Sequence, residues 1–397
     1  MTLITKIENL DGPLSKSFTY QNGELKKSAA ADLVNGAATV IRIRNLHELS
    51  EMIEGLSSNQ ALTYGSPRFC SARITTQKRL PMMKGRPVPY IARDAEHFKF
   101  SKGRGVLMLD IDQPKDGSTP MKSKSFDAML CDLLPWWSGI ARAYRPSASA
   151  FIFAPDGTRL TGAGSLRCYA ICNLAEDIPF VGLAILDAIW KAGHGRIEFS
   201  ANGSMLLRGP VDAAVWQGER LDFAGRPVLH DGLVQKRFPT LFFEGSDIDT
   251  EAAIAGGPGR ITQAVWKTQS AEVQAALAAA KPEEHKRRVS YVEKRSEADI
   301  RAGADPERVK RQRLAALGNG ALSPSDQILF ADGTSVTVAD ILEDAERYNG
   351  LRCADPEDSS YANDRRIAVL YSNNGWPRIF SHAHGGQTWK LGRAKSA

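Results

Sequence analysis

The 397-residue chain is 43% hydrophobic and 24% charged, which excludes an extended disordered polymer and leaves room for two or three packed domains. Its 51 Lys and Arg against 45 Asp and Glu leave a net charge of +6, which permits a polyanionic partner without requiring one. Five cysteines without a CxxC pair argue against a disulfide framework and a zinc ribbon and fit a reducing, cytoplasmic setting. The first residues lack the apolar core of a signal peptide, no run approaches the ~20 apolar residues of a membrane span, and GxxxxGK[ST] is absent. A soluble, unexported protein without an ATPase motor is expected.

Residues 1–65 pair a strand candidate, "AATVIRIRN", with an amphipathic helix, "LHELSEMIEGLS", whose Leu46, Leu49, Ile53 and Leu56 recur at helical spacing. They read as an N-terminal α/β segment. Residues 68–104 are basic and turn-rich, with Arg73, Lys78, Arg79, Lys84, Arg86 and Arg93 around Tyr90, and read as a charged loop suited to phosphates and stacked bases. The run "GVLMLDIDQP" that follows is a strand closing on Asp110 and Asp112, whose side chains share a face. Like charges at that spacing need a cation between them.

After a polar linker come a helix, "FDAMLCDLLPWW", and two strand-like runs, "SASAFIFA" and "SLRCYAICN", which the intervening turn predicts to be a hairpin. A helix, "PFVGLAILDAIWKAG", then leads to "SMLLRGPVD", an apolar run ending on a further acid, Asp212. Residues 66–245 are read as one core. Residues 246–317, rich in Ala, Glu, Lys and Arg, predict a helical domain, and 318–397 a small terminal unit with strands such as "RIAVLYS".

Hard divalent cations take oxygen ligands, and two-metal phosphoryl transfer uses carboxylates that hold ions ~3.5 to 4 Å apart. Asp110, Asp112 and Asp212 could supply them, yet an acidic strand end fits the DxD pattern as well. A DxD phosphatase would want Thr or Val where this chain has Pro114, and a glycosyltransferase finds no support beyond the acids. His382 and His384 before Gly385-Gly386 have only Cys353 as a distant third ligand, so a structural role is expected there. Cys168 and Cys172 read as buried small hydrophobes, and Trp136 and Trp137 as core or a domain contact.

The segments "IARDAEHFKFSKGRGVLMLDID", "RPSASA", "GAGSLRCYAI", "SMLLRGPVDAAVWQGERLDFAGRPVL" and "SHAHGGQTWKL" occur in this order in proteins the chain resembles, the bacterial and phage primase-polymerases of the archaeo-eukaryotic primase superfamily. The resemblance implies an α+β fold: a two-layer, RRM-like α/β catalytic core with a C-terminal helical domain. It implies that Asp110, Asp112 and Asp212 bind catalytic Mg²⁺ or Mn²⁺, with Glu198 and Asp222 as alternatives that otherwise read as surface acids near turns. The family's Ser-x-His motif, whose histidine meets the nucleotide's phosphates, falls on Ser165, Leu166 and Arg167, so an arginine replaces the histidine. Arg145, Ser147, Ser149 and Arg208 are further candidates for that nucleotide pocket. The implied activity is primer synthesis or extension on single-stranded DNA from nucleoside triphosphates, for a phage, plasmid or mobile element, with a helicase possible in trans and no membrane. The other reading is a nucleic-acid-binding replication accessory whose catalytic site has decayed.

Overall fold

The computed structural model describes residues 1–29, 33–111, 123–162, 166–301, 303–372, 376–383 and 386–392, with backbone alone at 298, 299, 316 and 362. Asp112, Ser165 and His384 lie outside the described residues. The chain is mixed α and β and divides into two compact units, Met1–Gly195 with Arg208–Gln274, and Arg196–Leu207 with Ala275–Ala397. No described helix is long and apolar enough to cross a membrane.

The first unit contains two larger sheets. One uses β1 (Thr2–Asn9), β2 (Gly36–Ile43), β3 (Gln60–Thr63), β4 (Ser71–Thr75) and β5 (Tyr90–Ala92) in the order β3-β1-β2-β4-β5, antiparallel except for the β4–β5 pair. Its inward residues, among them Ile7, Ala38, Ile74 and Ile91, pack with Phe98 and Leu221. Between β2 and β3 runs α1 (Leu46–Gly55), started by Asn45, whose side chain accepts the Glu48 N–H at 3.0 Å, and turned inward by Leu46, Leu49 and Ile53. The basic stretch expected to be a loop therefore supplies β4 and β5. Ala72, Ile74 and Thr75 of β4 and Ile91 and Ala92 of β5 are buried, and the exposed cations around them hide the strand period.

The second sheet uses β6 (Gly105–Ile111), β7 (Arg142–Pro146), β8 (Leu166–Cys172) and β9 (Leu241–Phe243) in the order β9-β7-β8-β6, antiparallel throughout. Both β6 and β8 are buried along almost their whole length, as strands covered on two faces are. Two helices accompany this sheet, α2 (Ser123–Leu133) after β6 and α3 (Ile178–Lys191) after β8. On one face, Asp127 of α2 pairs with Arg142 and accepts the Tyr144 hydroxyl at 2.8 Å, and Trp137, fully buried, donates to it at 3.2 Å. Alternation sends Asp110, Arg145, Arg167 and Tyr169 to the opposite face.

The predicted hairpin is corrected: β8 pairs with Arg142–Pro146, whereas Ile152–Phe153 pairs with Val234–Gln235. Phe151 breaks the run with φ of 52°, and the Ser147 and Ser149 hydroxyls, 3.0 Å apart, sit in the preceding turn. The run ending on Asp212 is also shorter than expected. Its strand stops at Arg208, Gly209-Pro210 intervene, and Val211 alone bridges Ile111.

In the second unit, the strands Arg196–Phe199 and Met205–Arg208, the latter up to Leu207, accompany the later turns of the helix Ala271–Arg301, the helix Pro306–Gly318 and a five-stranded sheet. Trp389, Ile379, Leu370, Phe330 and Val338 form its core. Cys353 joins that core, while His382 is exposed.

Candidate active site

The acids at the end of β6 are positioned by backbone before side chains enter. Asp110 sits one residue from the end of β6, and Asp212, far downstream, donates its N–H to the Asp110 carbonyl at 3.0 Å. The Ile111–Val211 bridge fixes that register. Asp212 also starts a short 3-10 turn, its Oδ1 accepting the Ala214 N–H at 2.9 Å. Two carboxylate-bearing residues from separate segments thus meet at one strand end. Asp112, two residues further along, lies outside the described residues, as does Ser165.

Across the ladder, Arg167 of β8 is the direct partner of Asp110, with Nε 3.9 Å from Asp110 Oδ1. Its side chain is only 5% exposed, so it is not a solvent-facing strand arginine. Its Nη1 pairs with Asp222, whose side chain is fully buried, which corrects the expectation of a surface acid. Asp222 accepts hydroxyls from Tyr64 at 2.6 Å and Tyr169 at 2.9 Å, and its N–H and C=O bridge Leu62 of β3. Glu198, the other alternative, pairs with Arg196 in the hairpin of the second unit. Burial alone would lower the Arg167 pKa, but Asp222 first, then Tyr169 and Asp110, outweigh it and the guanidinium stays cationic. Burial also raises the Tyr64 and Tyr169 phenols, with the Asp222 charge acting in the same direction, so both remain donors.

Arg145 of β7 is the partner of Arg167 on the other side of the ladder. Its Nη2 meets Glu54 Oε1 of α1 at 2.5 Å. Ser147, buried, and Ser149 follow just beyond the strand, and Lys16 Nζ is 3.5 Å from Ser149 Oγ. Arg208 is half-buried at the end of its strand, four residues before Asp212. The structure thus gathers Asp110, Arg167 and Arg145 along one sheet face, with the Asp212 backbone bound to the Asp110 carbonyl and the two serines just past β7.

Sequence reasoning missed Tyr64, Tyr169, Glu54 and Arg237, whose Nη1 lies 3.3 Å from Glu54 Oε2, as members of this surrounding. The alternation of β8 puts Tyr169 on the face of Arg167 and was available as a signal; the partners of Asp222 and Arg145 come from distant segments and were not. Within the basic stretch, Arg73, Lys78, Arg79, Lys84 and Arg86 are exposed, whereas Arg93 is half-buried and donates to the Glu219 carbonyl at 3.0 Å. Cys168 and Cys172 are buried, and burial raises both thiols.

Comparison with protein-family models, with curated proteins and with solved structures finds no match.

Proposed function

We propose that the chain is a template-directed nucleotidyltransferase, a primase-polymerase of the archaeo-eukaryotic primase superfamily. In this reading it starts or extends strands on single-stranded DNA from nucleoside triphosphates, in a bacterial cytoplasm, for a phage, plasmid or mobile element and with any helicase supplied in trans. The observation that carries the reading is the Asp212-to-Asp110 backbone hydrogen bond, which joins a second acid to the end of the strand that carries Asp110. Strand order supports an RRM-like core. Setting aside the short strand Ile152–Phe153 and the hairpin Arg196–Phe199 with Met205–Arg208, the order from β6 is β6-α2-β7-β8-α3 and then the single-residue bridge at Val211, with Val211 beside β6, β6 beside β8 and β8 beside β7, the β-α-β-β-α-β order of such a core.

The donor set is all oxygen, which suits a hard divalent cation, and Asp110 and Asp212 with Asp112 would hold Mg²⁺ or Mn²⁺. When bound, such ions acidify a 3′-hydroxyl and offset charge on the transferred phosphoryl group. The chain's own contribution is orientation and fixed charge. Arg167, cationic at any working pH, attracts the triphosphate but moves no proton, unlike a histidine in its place. Asp222 and the two tyrosines hold that guanidinium beside Asp110.

One observation favours the accessory reading: Arg167 already has a buried carboxylate partner. Primer synthesis on a single-stranded template, with Mg²⁺ or Mn²⁺ and with ribo- or deoxyribonucleotides, separates the two. The polymerase reading expects product from the wild type and a loss of about a hundredfold or more in Asp110→Ala, the scale of removing one preorganised electrostatic group. Absence of wild-type product under every combination, with DNA binding unchanged by Asp110→Ala, establishes the accessory instead.

A further inference from the structure

Past the end of β7, the first unit has a basic concavity lined by Arg145, Ser147, Phe151, Gln235, Arg237 and Phe238. Arg145 is 6% exposed, and its Nη1 is buried without a hydrogen-bond partner. A single carboxylate, Glu54, serves two guanidiniums, meeting Arg145 Nη2 at 2.5 Å and Arg237 Nη1 at 3.3 Å. The Arg237 pKa is lowered, first by burial, with Glu54 opposing and the charges of Arg145 and Arg226 reinforcing the fall. Cations therefore outnumber the carboxylate that faces them, and Lys236, exposed, and Lys16 stand nearby.

Beside these charges lies an aromatic surface. Phe238 is 53% exposed and packs on Phe151 with ring centroids 4.4 Å apart. Phe151 holds φ of 52°, a conformation costly for a bulky side chain, fixed by its N–H to the Gly162 carbonyl and by the Lys236 N–H to its own carbonyl. An exposed aromatic ring beside cations that outnumber their carboxylate is what a single strand requires, since phosphates need charge and splayed bases need a face to stack on.

We infer that this concavity binds the sugar-phosphate backbone of a single-stranded nucleic acid. One phosphate takes the place of the Glu54 carboxylate between Arg145 and Arg237, and an adjacent base stacks on Phe238. Glu54 is 45% exposed on α1, so its side chain can leave for solvent when the phosphate arrives. The inference deepens the nucleotidyltransferase reading, and rests on it for the choice of a nucleic-acid strand, by naming where template or primer lies. The shared chemistry is phosphate, which a nucleoside triphosphate could also bring.

Fluorescence anisotropy of a labelled oligothymidylate, in EDTA and without nucleotide, tests it on the full chain. Phe238→Ala is expected to weaken binding about tenfold, as loss of one stacked base does, and Phe238→Tyr to restore it. Arg237→Ala should weaken binding and reduce the slope of log K against log salt by about 0.7, the contribution of one phosphate contact on a single strand. Glu54→Gln should tighten binding several-fold. If the variants bind the oligonucleotide as the wild type does, or if the wild type does not bind it, the inference is overturned. If, in a second titration with dTTP added, the variants bind the oligonucleotide as the wild type does and weaken only the competition by dTTP, the phosphate is that of the nucleotide and the strand assignment falls. A wild type that makes primers but shows no variant effect overturns this inference alone, whereas variant-sensitive binding without primer synthesis overturns the polymerase reading alone.

Discussion

Replacing Asp222 by Asn keeps the size of the side chain and removes its charge. The carboxylate is fully buried, pairs with the Arg167 guanidinium and accepts two phenolic hydroxyls, so the variant leaves a buried cation with Asp110 Oδ1, 3.9 Å away, as its nearest described counterion. Breaking one side of a buried ion pair costs about 3–5 kcal/mol. The amide oxygen can still accept from a tyrosine, which places Asp222→Asn near the lower end, about 3 kcal/mol. With a urea m-value of about 3 kcal/mol/M, at the upper end for small proteins, the midpoint should fall by about 1 M. Tryptophan fluorescence reports it, since Trp137, Trp190, Trp216 and Trp266 are buried in the first unit. The double variant Asp222→Asn with Arg167→Met also removes the stranded cation while leaving the amide oxygen to accept a tyrosine hydroxyl, and should recover part of the loss, because no unpaired buried charge remains. The reasoning is refuted if Asp222→Asn leaves the midpoint in place, or if the double variant is no more stable than Asp222→Asn.

Gly182 of α3 faces the Trp216 ring, and a Cβ there would lie 2.2 Å from Trp216 Cδ2. That ring is held by its Nε1 donating to the Met108 carbonyl at 3.0 Å, so Gly182→Ala should lose about 1–3 kcal/mol to overpacking despite alanine's better helix propensity, and an unchanged melting temperature would contradict this. In the second unit, burial raises the Glu357 carboxyl from 4.5 to about 7, with Asp355 and Asp358 adding to it and the Asn202 N–H opposing. The folded form then binds the proton more tightly than the unfolded form, so this group's stabilisation is complete below pH 4.5 and is lost as pH rises toward 7. Glu357→Gln should flatten the melting temperature across that window and raise it at pH 8; an equally steep pH dependence in the variant would count against the buried carboxyl.

What could be read from the sequence depended on whether burial and periodicity coincided. Helix α1 was legible because Leu46, Leu49 and Ile53 repeat at its period and are the residues it buries. Strand β6 was legible for a different reason, since burial on both faces makes it a continuous apolar run. Strand β7 was not: its Arg142 and Arg145 look like surface residues, and their partners, Asp127 and Glu54, belong to other elements. The apolar "SASAFIFA" took its place in the reading, although Phe151 turns the chain out of the strand. For the candidate site, an acid after an apolar run was enough to single out Asp212. Asp222 was misjudged because it sits among Gly, Arg and Glu, the composition of a turn, while Tyr64 and Tyr169 reach it from segments 158 and 53 residues away.

These long-range partners give the N-terminal sheet a part in the site. Asp222 exchanges backbone hydrogen bonds with Leu62 of β3, at 3.1 and 2.8 Å, and its side chain reaches Arg167 and Tyr169 of β8. Tyr64, just past β3, closes the same carboxylate from the other side and meets the Tyr169 ring edge-on. Helix α1, from the same segment, brings Glu54 to Arg145. Arg145 is therefore neutralised by Glu54 of that segment, while Arg167 is neutralised by Asp222, whose carboxylate Tyr64 and whose backbone Leu62 help to hold in place. A guanidinium buried to this degree stays in place only while its partners do. The position of Arg167 opposite Asp110, and with it the electrostatics of the acidic strand end, is set by the first sheet as much as by the second.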